Sequence, residues 1–168
     1  MNQKKKKKKS GLPGLLIKIA IIAATGWVLY TYVIAFYRMD GNNMFPAVRD
    51  GDLCFILKTE APRRDDIILW TDEANGIHLA RVVAVGGQSV VVGDDGLTVD
   101  SYAPAESIFY ETKPAEGSTV RYPLKINENS YFVLNDFRQE DTDSRVYGEI
   151  KEENIVGKVF FLFRRRGF

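Results

Sequence analysis

The stretch His78-Leu79-Ala80-Arg81-Val82-Val83-Ala84-Val85, closed by Gly86-Gly87, decides the fold class. β-Branched residues crowded between turn formers read as a strand, and the run is too short and too evenly apolar for an amphipathic helix. Working outward, 52–58, 66–71, 89–92, 97–99 and 130–134 repeat this composition, each bounded by Gly, Asp or Pro. The segment 155–163 is longer and nearly continuous in its apolar character, and it is expected to be a buried strand with Phe160, Phe161 and Phe163 in the core. No helical periodicity of useful length separates these runs. The expectation is a mainly β domain of coiled antiparallel sheet, following one N-terminal helix.

That helix announces itself at the other end of the chain. Lys4 to Lys9 form an unbroken basic run, and between Leu15 and Tyr37 the only charged residue is Lys18. Twenty-three helical residues span roughly 34 Å, enough for a hydrocarbon core of ~30 Å. Lys18 lies near one end, where its stem can snorkel. A basic flank marks the cytoplasmic side, so residues 1–14 read as a cytoplasmic tail and 15–37 as a single-pass membrane helix. Residues 38–168 then form an extracellular domain at the cell membrane. A cleavable signal peptide has the same basic start, but this apolar run is longer than an ordinary signal core, and 32–38 offers no small-residue cleavage pair.

Charge is divided just as unevenly. From residue 39 onward, 15 basic and 22 acidic residues leave −7. Such a domain is poorly suited to neutralising phosphates, which argues against a nucleic-acid partner and leaves membrane lipid and protein. The single cysteine, Cys54, excludes an intramolecular disulfide, so the domain must be stabilised by packing. The stretch 100–123 is polar, carries Pro104, Pro114 and Pro123, and reads as a surface loop or hairpin.

Four motifs stand in order behind the anchor: Gly41-Asn42-Asn43-Met44-Phe45-Pro46, then Asp50-Gly51-Asp52, then Ala80-Arg81-Val82-Val83, then Asp143-Ser144-Arg145-Val146-Tyr147-Gly148. In order, spacing and position after an anchor they resemble the type I signal peptidases. That family's pattern is Gly-x-Ser-Met-x-Pro, Gly-Asp before a strand, Lys-Arg-Val-Ile-Gly-x-Pro-Gly-Asp, and Asp-Asn-Arg leading to Ser-x-Asp-Ser-Arg. The resemblance covers nearly the whole chain. It implies a peptide groove near the membrane surface, lined here by Gly41, Asn42, Asn43, Met44, Phe45, Pro46, His78 and Ala80. It also implies a bracing charge cluster of Arg81, Asp143, Ser144 and Arg145.

The departures fall on the chemistry. In the family the Ser before Met is the nucleophile, and the Lys before Arg-Val is its base, made neutral by burial. Here those positions hold Asn43 and Ala80, and the serine that orients the Lys is matched by Asp141. A carboxamide forms no acyl-enzyme, and a methyl group has no lone pair. Loss of one member of such a unit costs about 10⁴ to 10⁶ in turnover. No catalytic residue is therefore assigned. The resemblance points instead to the non-catalytic members associated with Gram-positive pilus assembly, which implies pilin subunits as clients and sortase as a further partner. Two alternatives stand beside it: a serine-type signal peptidase that is inactivated by substitution or uses atypical residues, and an inert membrane adaptor binding through 100–123.

Other candidates have simpler explanations. Cys54 and His78 are unique in the chain and could form a thiol–imidazole pair, but neither lies in the nucleophile motif, and Cys54 reads as a small buried hydrophobe. Alternation puts His78 on the same face as Ala80. Asp94-Asp95-Gly96 has the composition of a hairpin turn, without the alternating ligands of a calcium loop. Glu140-Asp141-Thr142-Asp143 could gather a cation, but Asp143 already has a structural match. No cofactor and no metal is expected.

Overall fold

A computed structural model describes residues 11–105 and 108–164. The Lys4–Lys9 run and the arginines at 165 and 166 lie outside the described residues. The apolar segment forms helix α1, Leu12–Tyr32, which buries none of its residues and is long and apolar enough to cross a membrane. It ends earlier than 37. Val33 caps it, and Ile34–Arg38 is extended as β1, pairing antiparallel with β2, Leu53–Leu57. The alternation Ile34, Phe36, Arg38 suits a strand, and a partner strand was available; hydropathy alone registers neither.

The remaining strands are β3 (Ile67–Thr71), β4 (Ile77–Val85), β5 (Ser89–Gly93), β6 (Gly96–Val99), β7 (Leu124–Lys125), β8 (Ser130–Leu134), β9 (Ile150–Lys151) and β10 (Ile155–Phe163). They form a seven-stranded sheet ordered β1-β2-β10-β3-β4-β8-β9 and a three-stranded sheet ordered β6-β5-β7, with every pairing antiparallel. The domain is mainly β, as the sequence predicts. The two-residue strands β7 and β9 are too short to leave a pattern in the sequence. Asp94-Asp95 turns the β5–β6 hairpin, with Gly96 at φ +97°. The described residues of 100–123 are irregular apart from one bridge between Val99 and Tyr102.

Three apolar clusters hold the sheets. One, between the sheets, contains Val83, Val90, Val92, Ile126, Phe132 and Leu134. A second gathers Met44, Val48, Cys54, Ile56, Leu69 and Leu79, and a third Ile68, Trp70, Ala80, Val82, Tyr131 and Val133. Complete burial of each larger side chain contributes about 1.5–3 kcal/mol. Strand β10 passes so close to β2 that a Cβ on Gly157 would lie 2.4 Å from the Leu57 carbonyl oxygen; only glycine fits there.

The expectation that β10 is buried fails at its C-terminal half. Phe160, Phe161 and Phe163 are 51, 53 and 61% exposed. A register shift between Val159 and Phe161 makes Phe160 an extra residue, so that neighbouring rings both reach Phe55, at 6.3 and 5.3 Å. Phe36 packs on Phe55 from the β1 side at 5.1 Å, and Tyr30 of α1 stacks on Phe36 at 6.3 Å. An aromatic strip thus runs from the end of the anchor across β1, β2 and β10. Lys58 fastens this junction by donating to the carbonyls of Tyr30 and Thr31 at 3.3 and 3.0 Å. It places a cation at the negative end of the helix dipole.

Candidate functional site

The turn carrying Asn43 is positioned by the core. Met44 and Val48 are fully buried, while Gly41, Asn42 and Pro46 remain exposed and Phe45 is half-buried. Gly41 has φ +87°, and Val48 N donates to the Met44 carbonyl. Burying the two apolar side chains aims Asn43 at the end of the large sheet. There its Nδ2 donates to the Leu79 carbonyl and to Asn135 Oδ1, both at 3.1 Å, and its own carbonyl accepts from Phe137 N at 2.9 Å.

Asn135, which the sequence reading missed, is the centre of this arrangement. It is fully buried, its Nδ2 donates to the Glu140 carbonyl and to Thr142 Oγ1, and its N donates to Asp143 Oδ2. The only sequence signal is its place directly after the buried strand β8. Asp141, which by resemblance matches the serine that orients the family's Lys, lines a cavity of about 560 Å³ with Tyr110, Lys113, Arg138 and Arg145. The loop is pinned through Asn135, and this turns Asp141 outward.

Ala80 does not share the groove with Asn43. Its methyl is fully buried among Ile68, Trp70 and Val82, on the face of β4 opposite to Leu79. His78 is likewise engaged elsewhere. Its ring stacks on Trp70 at 4.7 Å, and Nε2 lies 2.9 Å from Asp72 Oδ2. Cys54 is fully buried in a different cluster, where burial pushes its thiol up to about 11. A thiol at that value is protonated and unreactive near neutrality, and the chain holds no imidazole beside it.

The expected charge cluster divides in two. Asp143 and Arg145 pair, with Arg145 Nε on Asp143 Oδ1 at 3.0 Å and Nη2 on Oδ2 at 2.8 Å, both residues buried. Asp143 also caps the short helix α2, Ser144–Tyr147, by accepting from Arg145 N. The guanidinium donates further to the carbonyls of Arg138 and Glu140, and Ser144 Oγ accepts from Val133 N. Arg81 belongs to a separate pair. It binds Asp136 in bidentate fashion, Nε to Oδ1 at 2.7 Å and Nη2 to Oδ2 at 2.5 Å, and donates to the Asp65 carbonyl. Arg81 is a strand residue that meets the end of β8, whereas Asp143 lies beyond the turn. The carboxylate of Asp143 is already neutralised by Arg145, which leaves it poorly placed to collect a cation.

One further feature concerns the edge of β4. Val82 exchanges backbone hydrogen bonds with Asp65 and Asp66 on the β3 side, so alternation turns the polar backbone groups of Leu79 and Ile77 the other way. On that side the ladder with β8 ends at the pair Arg81–Leu134. The residues 77–80 therefore have no strand neighbour there among the described residues, and the Asn43 carboxamide occupies the Leu79 carbonyl.

The sequence is similar to known proteins along most of its length. The family model described as "Signal peptidase, peptidase S26" matches residues 13–164. Signal peptidase I of Bacillus licheniformis is 30% identical over 96% of this chain and 93% of its own length. Signal peptidase I T of Bacillus subtilis (strain 168) is 31% identical over 89% and 83%, and signal peptidase IB of Staphylococcus aureus 25% identical over 88% and 87%. A solved signal peptidase I from Enterococcus faecalis V583 is 25% identical, covering 60% of this chain and 97% of its own, with a TM-score of 0.45.

Proposed function

The chain belongs to the signal peptidase S26 family, and from that premise we propose that it is a membrane-anchored, non-catalytic member that binds an extended segment of an exported polypeptide. The observation that carries this reading is the Asn43 carboxamide, bonded to the Leu79 carbonyl and Asn135 at the sequence position that by resemblance matches the family's nucleophile, while a buried methyl, Ala80, stands at the position that matches its base. Neither group can accept and return a proton at neutral pH.

Binding uses what remains. The unladdered edge at 77–80 can take an added strand, whose main-chain hydrogen bonds supply affinity while alternate side chains supply selectivity. The anchor keeps this edge at the bilayer, with the basic tail in the cytoplasm and the domain outside. The exposed aromatic strip of Phe36, Phe160, Phe161 and Phe163 rests in the lipid interface beside α1. By resemblance to non-catalytic members of the family, the clients are pilin subunits, with sortase as a further partner, and the role is pilus assembly. The test is photo-crosslinking from the 41–46 turn in cells, combined with gene deletion. Crosslinks to pilin and altered pilus length support the reading; no crosslink and unchanged pili remove it.

The names of the relatives favour a second reading, in which this chain also cleaves signal peptides. Incubation of the reconstituted chain with a preprotein distinguishes the two. Cleavage that survives Asn43→Ala would establish another nucleophile.

A further inference from the structure

We infer that Asn43 is an internal plug: its carboxamide occupies the backbone carbonyl that an incoming strand needs, so a client must displace it. This rests on the edge-binding reading above and specifies how that edge is controlled.

Leu79 presents its polar backbone groups to the side where β8 has ended, and its carbonyl already accepts Asn43 Nδ2 at 3.1 Å. An added strand would offer a backbone N–H to the same oxygen. The plug is not a loose surface side chain. Asn135 Oδ1 holds the same amide at 3.1 Å, Asn135 is itself fully buried and doubly tethered to the 140–142 loop, and Phe137 N holds the backbone carbonyl of Asn43. Five hydrogen bonds therefore couple the 41–48 turn, the edge of β4 and the 135–143 loop.

Displacement exchanges a neutral hydrogen bond for one of the same kind, so the resident amide weakens a client by competition without excluding it. Since the client N–H that reaches the Leu79 carbonyl must replace a donor already there, the donor at that client position decides binding, and Asn135 acts as the positioning residue that sets how firmly the plug is held.

The test uses the full chain in nanodiscs, with a blocked heptapeptide of alternating alanine and valine as probe. Binding is followed by backbone chemical shifts at Ile77 and Leu79. Asn43→Ala is expected to bind the probe about fivefold more tightly than the parent, the equivalent of one net hydrogen bond at about 1 kcal/mol. Probes N-methylated at alternate positions, made in both registers, should lose binding in one register only. Without any probe, Asn43→Ala should speed amide exchange across 135–143.

A parent and an Asn43→Ala chain that bind equally would overturn the plug while leaving edge binding intact. Unchanged exchange across 135–143 would overturn it as well. Failure of the parent and the variant alike to shift Ile77 and Leu79, with exchange accelerated as expected, would remove the edge-binding reading and the competition with it.

Discussion

Asn43 Nδ2 and Asn135 Oδ1 meet at 3.1 Å although 92 residues separate them in sequence. The contact joins the turn behind the anchor to the loop behind β8. Asn135→Ala leaves the Glu140 carbonyl, Thr142 Oγ1 and Asn43 Nδ2 each one partner short. The expected destabilisation is about 2–3 kcal/mol, measured by urea unfolding, because stranded buried polar groups cost more than a net hydrogen bond is worth. A loss below about 0.5 kcal/mol would show that water replaces the amide freely.

Restoring the family's residue types is expected to fail. Asn43→Ser with Ala80→Lys sends an ammonium toward Ile68, Trp70 and Val82. Burying that charge without a partner costs several kcal/mol. The double variant should melt about 10 °C lower and leave a preprotein uncut. Cleavage at parental stability would show that the site rearranges readily.

Asp143→Ala removes the partner of a guanidinium that is 3% exposed. It also removes the cap of α2 and the acceptor for Asn135 N. Breaking one side of a buried pair costs about 3–5 kcal/mol, so a large fall in the urea midpoint is expected. Asp143→Asn should recover the cap and only part of the loss.

Asp72 is held below the usual carboxylate range, first by its hydrogen bond with His78 and then by the Gly76 and Ala74 backbone amides. Its folded pKa lies under the unfolded value of about 3.9. The stability it contributes is therefore present above that value and lost as pH falls through the folded pKa. Melting temperature should hold from pH 7 to about 5 and drop below about 4, with a shallower drop in Asp72→Asn. Identical acid profiles for parent and variant would show that the coupling is absent.

The aromatic strip makes a spectroscopic prediction. With Trp27→Phe removing the anchor's fluorophore and the buried Trp70 common to every variant, Phe161→Trp in nanodiscs should be quenched strongly by brominated lipid, and Tyr102→Trp should not. Tyr102 is 78% exposed and bridges to Val99 of the three-stranded sheet, whereas the strip lies on the seven-stranded one. Equal quenching at both positions would show that the strip does not face lipid.

The sequence by itself determined the class of this protein. Apolar runs of three to nine residues between turn formers gave a β domain, because strand burial leaves a local signature. The apolar segment before residue 38, interrupted only by Lys18, gave the helix, and the residue types at 43 and 80 carried the expectation that the family's dyad is missing. These are properties of residues one at a time or of near neighbours. Only the tertiary structure decided the rest. It converted the end of the predicted helix into β1, since pairing with β2 outweighs local preference. It exposed Phe160, Phe161 and Phe163, since a register shift and an outer sheet face are set by strands distant in sequence. It paired Arg81 with Asp136 and Asn43 with Asn135, across 55 and 92 residues. Such partners depend on how β4 and β8 terminate beside the turn, and nothing local to either residue encodes that geometry.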